Sequence, residues 1–300
     1  MNEQSATIAI TGASGQLGRR VVELLLERVE PGRVLALTRS PDKLADLAAR
    51  GVCVAVGDFA QPEKLAETLA GVERLLLIST DVTGDIRVQL HKNAVDAAAR
   101  AGVRHVTYTS AVDPHSSPLA FIREHAETED AIQASGLPYA FLRNNFYAEV
   151  LLRSGPQAIA TGELRAAAGD GAVAWVARED CARTAAAVLA TPGHDRVVYD
   201  VTGLAAVTYH DIARELAAVS GRPVCYVPLT ADEARQGLLA AGLPAPLAEF
   251  LVGIDQAVAQ GALSVVGSAV RDLTGQPPAR IGDFFAQYRS ALLAPVSSVS

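Results

Sequence analysis

Thr7-Ile-Ala-Ile-Thr-Gly-Ala-Ser-Gly-Gln-Leu-Gly18 joins a short apolar run to three glycines that are spaced three residues apart. The amphipathic residues 19–28 follow at once, and their pattern predicts a helix. Strand, glycine turn and helix, in this order, form the context that a dinucleotide-binding turn requires. Gly12 suits the tight turn, Gly15 lets backbone amides approach a diphosphate, and Gly18 lets the helix pack close to the sheet.

The turn is therefore predicted to hold the diphosphate of a dinucleotide at the positive end of the new helix. A glycine turn that joins strand to helix without any ligand is the alternative interpretation. The predicted cofactor-binding residues of the turn are Gly12, Ala13, Ser14, Gly15, Gln16, Leu17 and Gly18.

Short apolar runs alternate with amphipathic segments over the first half of the chain. Six strands are predicted, at residues 7–11, 33–38, 52–56, 74–78, 105–109 and 138–142. Apolar runs without polar alternation are typical of strands buried on both faces of a parallel sheet. Right-handed crossovers then give an α/β, doubly wound fold of the Rossmann type, whose ligand crevice lies at the carboxyl ends of the strands.

The pattern changes after about Tyr147. Glycines and a proline in residues 155–171 indicate irregular or hairpin structure, and residues 197–201 predict a strand that returns to the main sheet. We expect an NADP-binding Rossmann domain over residues 1–150, to which residues 175–201 return. Residues 151–174 and 202–300 are expected to form a smaller, mostly helical lobe that covers the substrate. Helix caps are predicted at Ser40, at Asp180 and, as a capping box, at Thr208 with Asp211.

Composition excludes several classes of protein. The chain has 300 residues, half of them hydrophobic, so it can bury a large core, and its net charge of −7 argues against an extended nucleic-acid or anionic-membrane surface. Neither a secretory signal nor an apolar span long enough for a bilayer is evident. Three separated cysteines favour a reducing cytoplasm over a disulfide framework, with each cysteine a small buried hydrophobe. The scattered histidines predict no metal site.

The end of the second predicted strand indicates which dinucleotide is bound. An NAD-specific enzyme places an acidic residue there to hold the ribose 2′-hydroxyl. This chain has Arg39 instead, with Lys43 one helical turn later, and a guanidinium suits a 2′-phosphate. NADPH is therefore the predicted cofactor; the alternative is that Arg39 is a solvated surface arginine and the protein does not distinguish the two cofactors.

Two further strand ends carry candidate cofactor contacts. After the third strand, Asp58 could accept a hydrogen bond from the adenine amine with Phe59 against the ring, or Asp58 could be a turn aspartate. After the fourth strand, Ser79, Thr80 and Asp81 lie where the cofactor would extend toward its nicotinamide, or they simply end the strand.

Ser110 follows the fifth strand, at the position of the catalytic serine of short-chain dehydrogenases, although it could merely end the strand. The Tyr-x-x-x-Lys pair that such enzymes carry on the next helix is missing. The comparable spacing runs from Phe121 to His125, and histidine can donate hydrogen bonds as lysine does. His125 is therefore a candidate for contact with the nicotinamide ribose or the substrate, with a helix-surface histidine as the alternative.

The loop after the sixth strand combines a guanidinium, two amides and two aromatic rings. Such groups suit stacking on a nicotinamide or a flat substrate, although a structural loop would explain the amides equally well. We take Ser110, His125 and Tyr147 as the candidate catalytic residues, and the loop adds these cofactor-binding candidates: Arg143, Asn144, Asn145, Phe146 and Tyr147.

The ordered set of motifs resembles the NmrA-like branch of the atypical short-chain dehydrogenases, and within it the quinone- and triphenylmethane-reducing members. The motifs that carry this resemblance are residues 11–18, 37–43, 75–79, 106–110, 124–129 and 142–147. In such relatives the glycine turn, the strand-two arginine, the hydroxyls after strand four and the Leu-Arg-Asn loop bind NADPH. The chain departs from the pattern at Asn145-Phe146, where a glycine and a bulkier aromatic residue are expected.

The resemblance implies an NADPH-dependent oxidoreductase that transfers a hydride to a quinone-like or other flat, electron-poor acceptor. Such an acceptor needs little general-acid help, which agrees with the missing Tyr/Lys pair. Two alternatives stay open: a non-catalytic NADP-binding redox sensor of the NmrA type, and a carbonyl or imine reductase of a specialised pathway. No membrane or nucleic-acid partner is expected, and a homodimer stays open.

Overall fold

The computed structural model describes residues 7–295. The first half of the chain alternates strands and helices, and short 3₁₀ turns at Pro31–Arg33 and Pro41–Leu44 precede β2 and α2. In chain order the elements are β1 (Ile8–Ile10), α1 (Gln16–Leu25), β2 (Val34–Thr38), α2 (Ala45–Ala49), β3 (Cys53–Val56), α3 (Pro62–Thr68), β4 (Arg74–Leu77), α4 (Asp85–Arg100), β5 (His105–Ala111), α5 (Ala120–Ala134) and β6 (Tyr139–Asn144).

The second half begins with a 3₁₀ turn at Ala148–Val150 and is richer in helices. Its elements are α6 (Leu151–Thr161), β7 (Glu163–Ala166), β8 (Ala172–Val173), α7 (Arg178–Ala190), β9 (Val197–Val201), β10 (Val207–Thr208), α8 (Tyr209–Ser220), β11 (Cys225–Pro228), α9 (Ala231–Ala240), α10 (Ala245–Ala259), α11 (Ala269–Thr274), α12 (Ile281–Gln287) and α13 (Arg289–Leu292).

Seven parallel strands form the main sheet in the order β3-β2-β1-β4-β5-β6-β9. The strand order reverses between β1 and β4, and ligands bind at such a switch point in open α/β sheets. The glycine turn follows β1, and residues 79–81 follow β4. The predicted α/β doubly wound fold is confirmed, and so is the return of residues 197–201 to the sheet as β9.

The core of the sheet follows from the apolar runs. All residues of β1 and β2 are buried, and so are most residues of β4 and β5. One cluster packs side chains of these strands against α3, α4 and α5, and it includes the fully buried Tyr108 and Phe141. Two-faced burial fails at the sheet edge, where Cys53 and Val56 of β3 are exposed because β3 has one neighbouring strand only. Cys225 is also exposed, so among the cysteines only Cys181 is the predicted buried hydrophobe.

The described chain forms two compact units. The first comprises residues 7–144, 179–201 and 269–276, and the second comprises residues 145–178, 202–268 and 277–295. These bounds differ from the expected ones in three places: the first unit ends at residue 144 rather than 150, the returning segment begins at residue 179 rather than 175, and residues 269–276 belong to the first unit. Arg183 of α7 donates a hydrogen bond to Gln276, which ties that short segment to the first unit.

The segment predicted to be irregular contains a helix instead. α6 runs through Gly155 and Pro156, and a Cβ atom on Gly155 would lie 2.5 Å from the Leu292 side chain. The glycine is therefore a packing requirement of the second unit and not a turn. β7 pairs in parallel with β11, and β8 pairs antiparallel with β10.

Local capping was predicted correctly at one of three helices. Thr208 and Asp211 form both hydrogen bonds of a capping box at the start of α8. Ser40 makes no side-chain cap, because its amide donates to Thr38 Oγ1 and a 3₁₀ turn comes first. Asp180 lies inside the first turn of α7, where it accepts from Arg183. Across residues 7–295 no helix is long and apolar enough to cross a membrane.

Candidate functional site

The glycine turn after β1 has the geometry that its sequence predicts. Gly12 has a φ of +60°, in the left-handed region that favours glycine, and its carbonyl accepts a hydrogen bond from the Gly15 amide at 2.9 Å. A Cβ atom on Gly18 would lie 2.4 Å from the Gly12 carbonyl oxygen. Because that neighbour is backbone, it cannot move aside, and a side chain at position 18 would push the helix off the turn.

The N-terminus of α1 offers unpaired backbone donors. The N-cap residue Gly15 has no side chain to cap the helix, and its first turn contains no acidic residue. Within residues 7–295 the amides of Gln16, Leu17 and Gly18 have no hydrogen-bond acceptor, since the first bond back to the turn is that of Arg19. Three amides and the positive end of the helix dipole are the elements of an anion site, so the turn fits a dinucleotide diphosphate.

The side chains around this turn divide into buried and exposed groups. Ala13 and Leu17 are buried, so only their backbone can face a ligand. Ser14 is exposed, and its hydroxyl lies 2.8 Å from Thr38 Oγ1 at the end of β2. This contact joins the glycine turn to the strand whose next residue, Arg39, is the predicted phosphate ligand.

Arg39 and Lys43 are both exposed at the carboxyl end of β2. In the part of the chain that the structure describes, the Arg39 guanidinium has no ion-pair or hydrogen-bond partner. Arg19, by contrast, is paired with Glu23 and Asp46. Arg39 is thus available for a phosphate, although contact with the cofactor stays a prediction.

The residues that follow β3 and β4 are held by the protein itself. Both carboxylate oxygens of Asp58 accept hydrogen bonds, from the Ala60 amide at 3.0 Å and from the Gln61 side chain at 3.1 Å, as a turn aspartate does. Phe59 is partly buried against the core of the sheet. The Ser79 amide donates to Thr109 Oγ1 at 2.9 Å.

The remaining two residues after β4 differ from each other. The Thr80 amide donates to the Nε2 atom of the buried His91 at 3.0 Å. Asp81 is exposed. The cofactor contacts predicted for residues 58, 59 and 79–81 therefore rest on the position of these residues at the strand ends.

Ser110 lies within β5 and is buried rather than placed after the strand. Its hydroxyl donates to Glu129 Oε1 at 2.6 Å. The Glu129 side chain is fully buried, and Arg143 binds it with two hydrogen bonds, from Nε at 3.0 Å and from Nη2 at 2.7 Å. The carboxylate raises the pKa of Arg143, chiefly through those hydrogen bonds.

These contacts bear on the predicted roles of two residues, which stay predictions. The Arg143 guanidinium, proposed as a cofactor ligand, is engaged with Glu129. The Ser110 hydroxyl donates its one hydrogen bond to the same carboxylate, so the Ser110 oxygen can only accept a hydrogen bond from a ligand. Because Glu129 lies 19 residues from Ser110 and 14 from Arg143, no local motif signals this arrangement.

His125 is buried and not a helix-surface histidine. Its Nδ1 atom lies 2.8 Å from the Tyr108 hydroxyl, and the same hydroxyl lies 3.4 Å from His91 Nδ1. Burial lowers the pKa of His125 to about 3 and that of His91 to about 4. Both imidazoles are therefore neutral near pH 7, and His125 cannot act there as a cationic substitute for lysine.

A family model described as NAD(P)H-binding matches residues 12–192, which is more than half of the chain. The chain belongs to this NAD(P)H-binding family. The matched residues include the glycine turn and five of the seven strands of the main sheet; β1 and β9 lie outside the match.

Known relatives extend the match to nearly the whole chain. Quinone oxidoreductase 2 of Escherichia coli is 39% identical over 276 residues, which is 92% of this chain and 96% of that protein. The crystal structure of the NADPH-dependent quinone oxidoreductase from Escherichia coli complexed with NADPH has a TM-score of 0.89 at 38% identity, covering 96% of this chain and 100% of that one.

A second solved structure is that of the triphenylmethane reductase of a Citrobacter species complexed with NADP(H). It has a TM-score of 0.87 at 33% identity and covers 94% of this chain and 99% of that chain. These matches confirm the resemblance that the ordered motifs predicted.

The loop after β6 is more structural than its composition suggests. Asn144 ends β6 and is buried. The buried Asn145 donates to the Leu263 carbonyl at 3.0 Å and accepts from the Phe146 amide at 2.8 Å. Its amide therefore fixes the loop within the second unit. This contact accounts for an asparagine at the position where the family pattern predicted glycine.

Two aromatic side chains of the same loop pack against residues of the second unit. The Phe146 ring lies 6.1 Å from the Trp175 ring, and the Arg178 guanidinium lies 5.0 Å from the centre of the Tyr147 ring. Both rings are partly exposed. Within residues 7–295 no group of three or more His, Cys, Asp or Glu side chains is arranged to hold a metal ion.

Proposed function

We propose that the chain is an NADPH-dependent oxidoreductase that transfers a hydride to a quinone-like or other flat, electron-poor acceptor. The observation that carries the proposal is the turn at residues 12–18, whose three unpaired amides and close-packed glycine suit a diphosphate. Relatives that cover almost the whole chain support it, because one is named a quinone oxidoreductase and is known with NADPH bound.

Named residues would hold each part of the cofactor. The amides of residues 16–18 would bind the diphosphate, and Arg39 with Lys43 would bind the 2′-phosphate. Thr80 and its neighbours would lie along the nicotinamide ribose, and Phe146 and Tyr147 would offer flat surfaces. Bound NADPH would supply the hydride, and the chain would supply position and electrostatics.

The nature of the acceptor follows from what these side chains can do with protons. The Ser110 hydroxyl donates to Glu129, His125 is neutral, and burial raises the pKa of Tyr108. None of the three is a ready proton donor near pH 7. An acceptor whose reduced oxygen takes its proton from water, such as a quinone, suits this set better than a simple ketone.

The test of turnover measures NADPH oxidation with a benzoquinone, a triphenylmethane dye and a simple ketone. We expect turnover with the first two and little with the ketone. Uptake of both NADPH and NADP⁺ without turnover of any acceptor would instead favour the NmrA-type sensor, and a strong preference for one ketone would favour a carbonyl reductase.

The test of cofactor choice is Arg39→Ala, measured by calorimetry with NADPH and NADH. Because charge-assisted hydrogen bonds contribute about 1.5–3 kcal/mol, we expect NADPH affinity to fall about 10- to 100-fold and NADH affinity to stay unchanged. Arg50→Ala, at an exposed position after α2, is the matched control. Equal NADPH affinity in both variants would remove Arg39 from the site.

Two finer assignments belong to the same proposal. We assign the protein to the cytoplasm because its three cysteines are free and two of them are exposed. We also infer a substrate-binding role for the second unit and a homodimer in solution. Light scattering of the purified protein tests the dimer, and acceptor kinetics of Phe146→Ala test the substrate-binding role.

A further inference from the structure

A chain of polar side chains crosses the apolar core of the first unit beneath residue 80. His91, Tyr108 and Thr128 are fully buried, and His125 is 8% exposed. Tyr108 belongs to the large apolar cluster between the sheet and its helices. Buried polar groups in such surroundings must be paired, so the hydrogen bonds within this set have defined directions.

The direction is set at one end by a backbone amide, which can only donate. The Thr80 amide donates to His91 Nε2 at 3.0 Å, so that nitrogen carries no proton. The neutral ring then carries its proton on Nδ1, which lies 2.9 Å from Thr128 Oγ1. Thr128 Oγ1 accepts this hydrogen bond, and the Thr128 hydroxyl donates its own hydrogen bond to the Glu124 carbonyl at 3.2 Å. The tautomer of His91 is thereby determined.

The same logic continues through Tyr108. Its hydroxyl cannot donate to His91 Nδ1, because that nitrogen already carries a proton. Of the two ring nitrogens near the hydroxyl, His125 Nδ1 at 2.8 Å is the one free to accept, and this short distance favours donation from the hydroxyl to it. His125 then accepts at Nδ1 and carries its proton on Nε2. Arg87, buried and paired with Glu124, adds a positive charge that further disfavours a second proton on either ring.

We propose that the Thr80 amide, acting through His91 and Tyr108, locks His125 as a neutral Nε2–H donor for a hydroxyl of the nicotinamide ribose. The ribose contact rests on the proposed function, whereas the locked tautomer does not. His91 and Tyr108 are positioning residues. They act by keeping the ring proton of His125 on Nε2, the nitrogen that faces away from Tyr108.

The lock is tested by nuclear magnetic resonance of the full chain with its six histidines labelled with ¹⁵N. Long-range ¹H–¹⁵N correlations show which ring nitrogen carries the proton, and the His91→Gln and His125→Gln variants assign the two signals. We expect Nδ1–H at His91 and Nε2–H at His125 in the protein without cofactor. A proton on Nδ1 of His125 would overturn the proposal, and this outcome does not depend on NADPH binding.

Removal of the Tyr108 hydroxyl should release the lock. In Tyr108→Phe we expect the His125 signals to move toward those of a mixture of tautomers. Tyr139→Phe is the matched control, because Tyr139 stacks on Phe141 of the same cluster at 4.2 Å and its hydroxyl has no hydrogen bond within residues 7–295. Unchanged His125 signals in Tyr108→Phe would contradict the role given to Tyr108.

The ribose contact is tested by NADPH affinity. His125→Gln retains an N–H donor and should bind NADPH within about threefold of the wild type, whereas His125→Leu should bind about tenfold more weakly. A merely structural role would not separate the two variants in this order. If both bind like the wild type, the ribose contact is wrong although the lock can stand. If the wild type binds no NADPH, the proposed function fails instead.

Discussion

Helix α5 carries the buried side chains of His125 and Glu129 one turn apart, and each organises a different kind of cluster. His125 belongs to a neutral set with Tyr108, His91 and Thr128. Glu129 belongs to an ionic set in which Arg143 and Ser110 bind its carboxylate. The two sets fix their members by different forces.

The neutral set is fixed by the donor and acceptor roles in its hydrogen bonds, and the ionic set is fixed by the attraction between opposite charges. A buried neutral hydrogen bond contributes about 1 kcal/mol, and its worth lies in specifying one arrangement. A buried ion pair can contribute little net stability, yet removal of one partner leaves a charge without compensation. Single substitutions should therefore affect the two sets by different amounts.

The largest effect is expected for Arg143→Met. Glu129 keeps a fully buried carboxylate, and the exposed imidazole of His115 lies 3.5 Å from it. We expect the free energy of unfolding to fall by about 3 kcal/mol, measured by urea denaturation. The control is Arg165→Met, whose partner Glu163 is partly exposed, and it should cost about 1 kcal/mol or less. Equal losses in the two variants would mean that the charge of Glu129 does not need Arg143.

A smaller effect is expected from pH on the neutral set. Burial lowers the pKa of His125 to about 3, whereas in the unfolded chain it returns to about 6.5. The unfolded state therefore binds more protons as the pH falls below 6.5, and the stability that is present above this pH is lost. The nearby Arg87 acts in the same direction.

The measurement is the free energy of unfolding of the wild type and of His125→Gln at about pH 6.5 and about pH 5. The wild type should lose about 1–2 kcal/mol more than the variant over this interval. His210→Gln, at an exposed position of α8, should retain the pH dependence of the wild type. An identical dependence in the wild type and in His125→Gln would show that His125 titrates normally and that its ring is not held neutral.

The comparison also explains how far the sequence could lead. The glycine turn, the parallel sheet and the exposed Arg39 follow from local patterns, because residues that act together there are neighbours in sequence. The clusters do not, since Tyr108 meets His125 and Glu129 meets Arg143 across separate elements. Helix α6 was missed for a related reason. Gly155 is required by packing against the distant Leu292, and a local interpretation takes it for a turn.

The smallest effect should come from Thr128→Val. The variant leaves the His91 Nδ1–H without its acceptor at 2.9 Å, so the free energy of unfolding should fall by about 1 kcal/mol. Thr68→Val is the matched control, because the Thr68 hydroxyl donates to the carbonyl four residues earlier, as Thr128 does, but Thr68 is only partly buried.

The Tyr108 hydroxyl, at 3.4 Å, is the alternative acceptor for the His91 proton in Thr128→Val. If the Tyr108 hydroxyl accepts a hydrogen bond from His91 Nδ1–H, it still donates its own hydrogen bond to His125. The His125 tautomer should then survive while the free energy of unfolding falls. Loss of the tautomer in this variant would show that Thr128 and not Tyr108 sets the direction of the chain of hydrogen bonds. The arrangement in the neutral set would then be fixed by single contacts, as in the ionic set, and the two sets on α5 would differ only in charge.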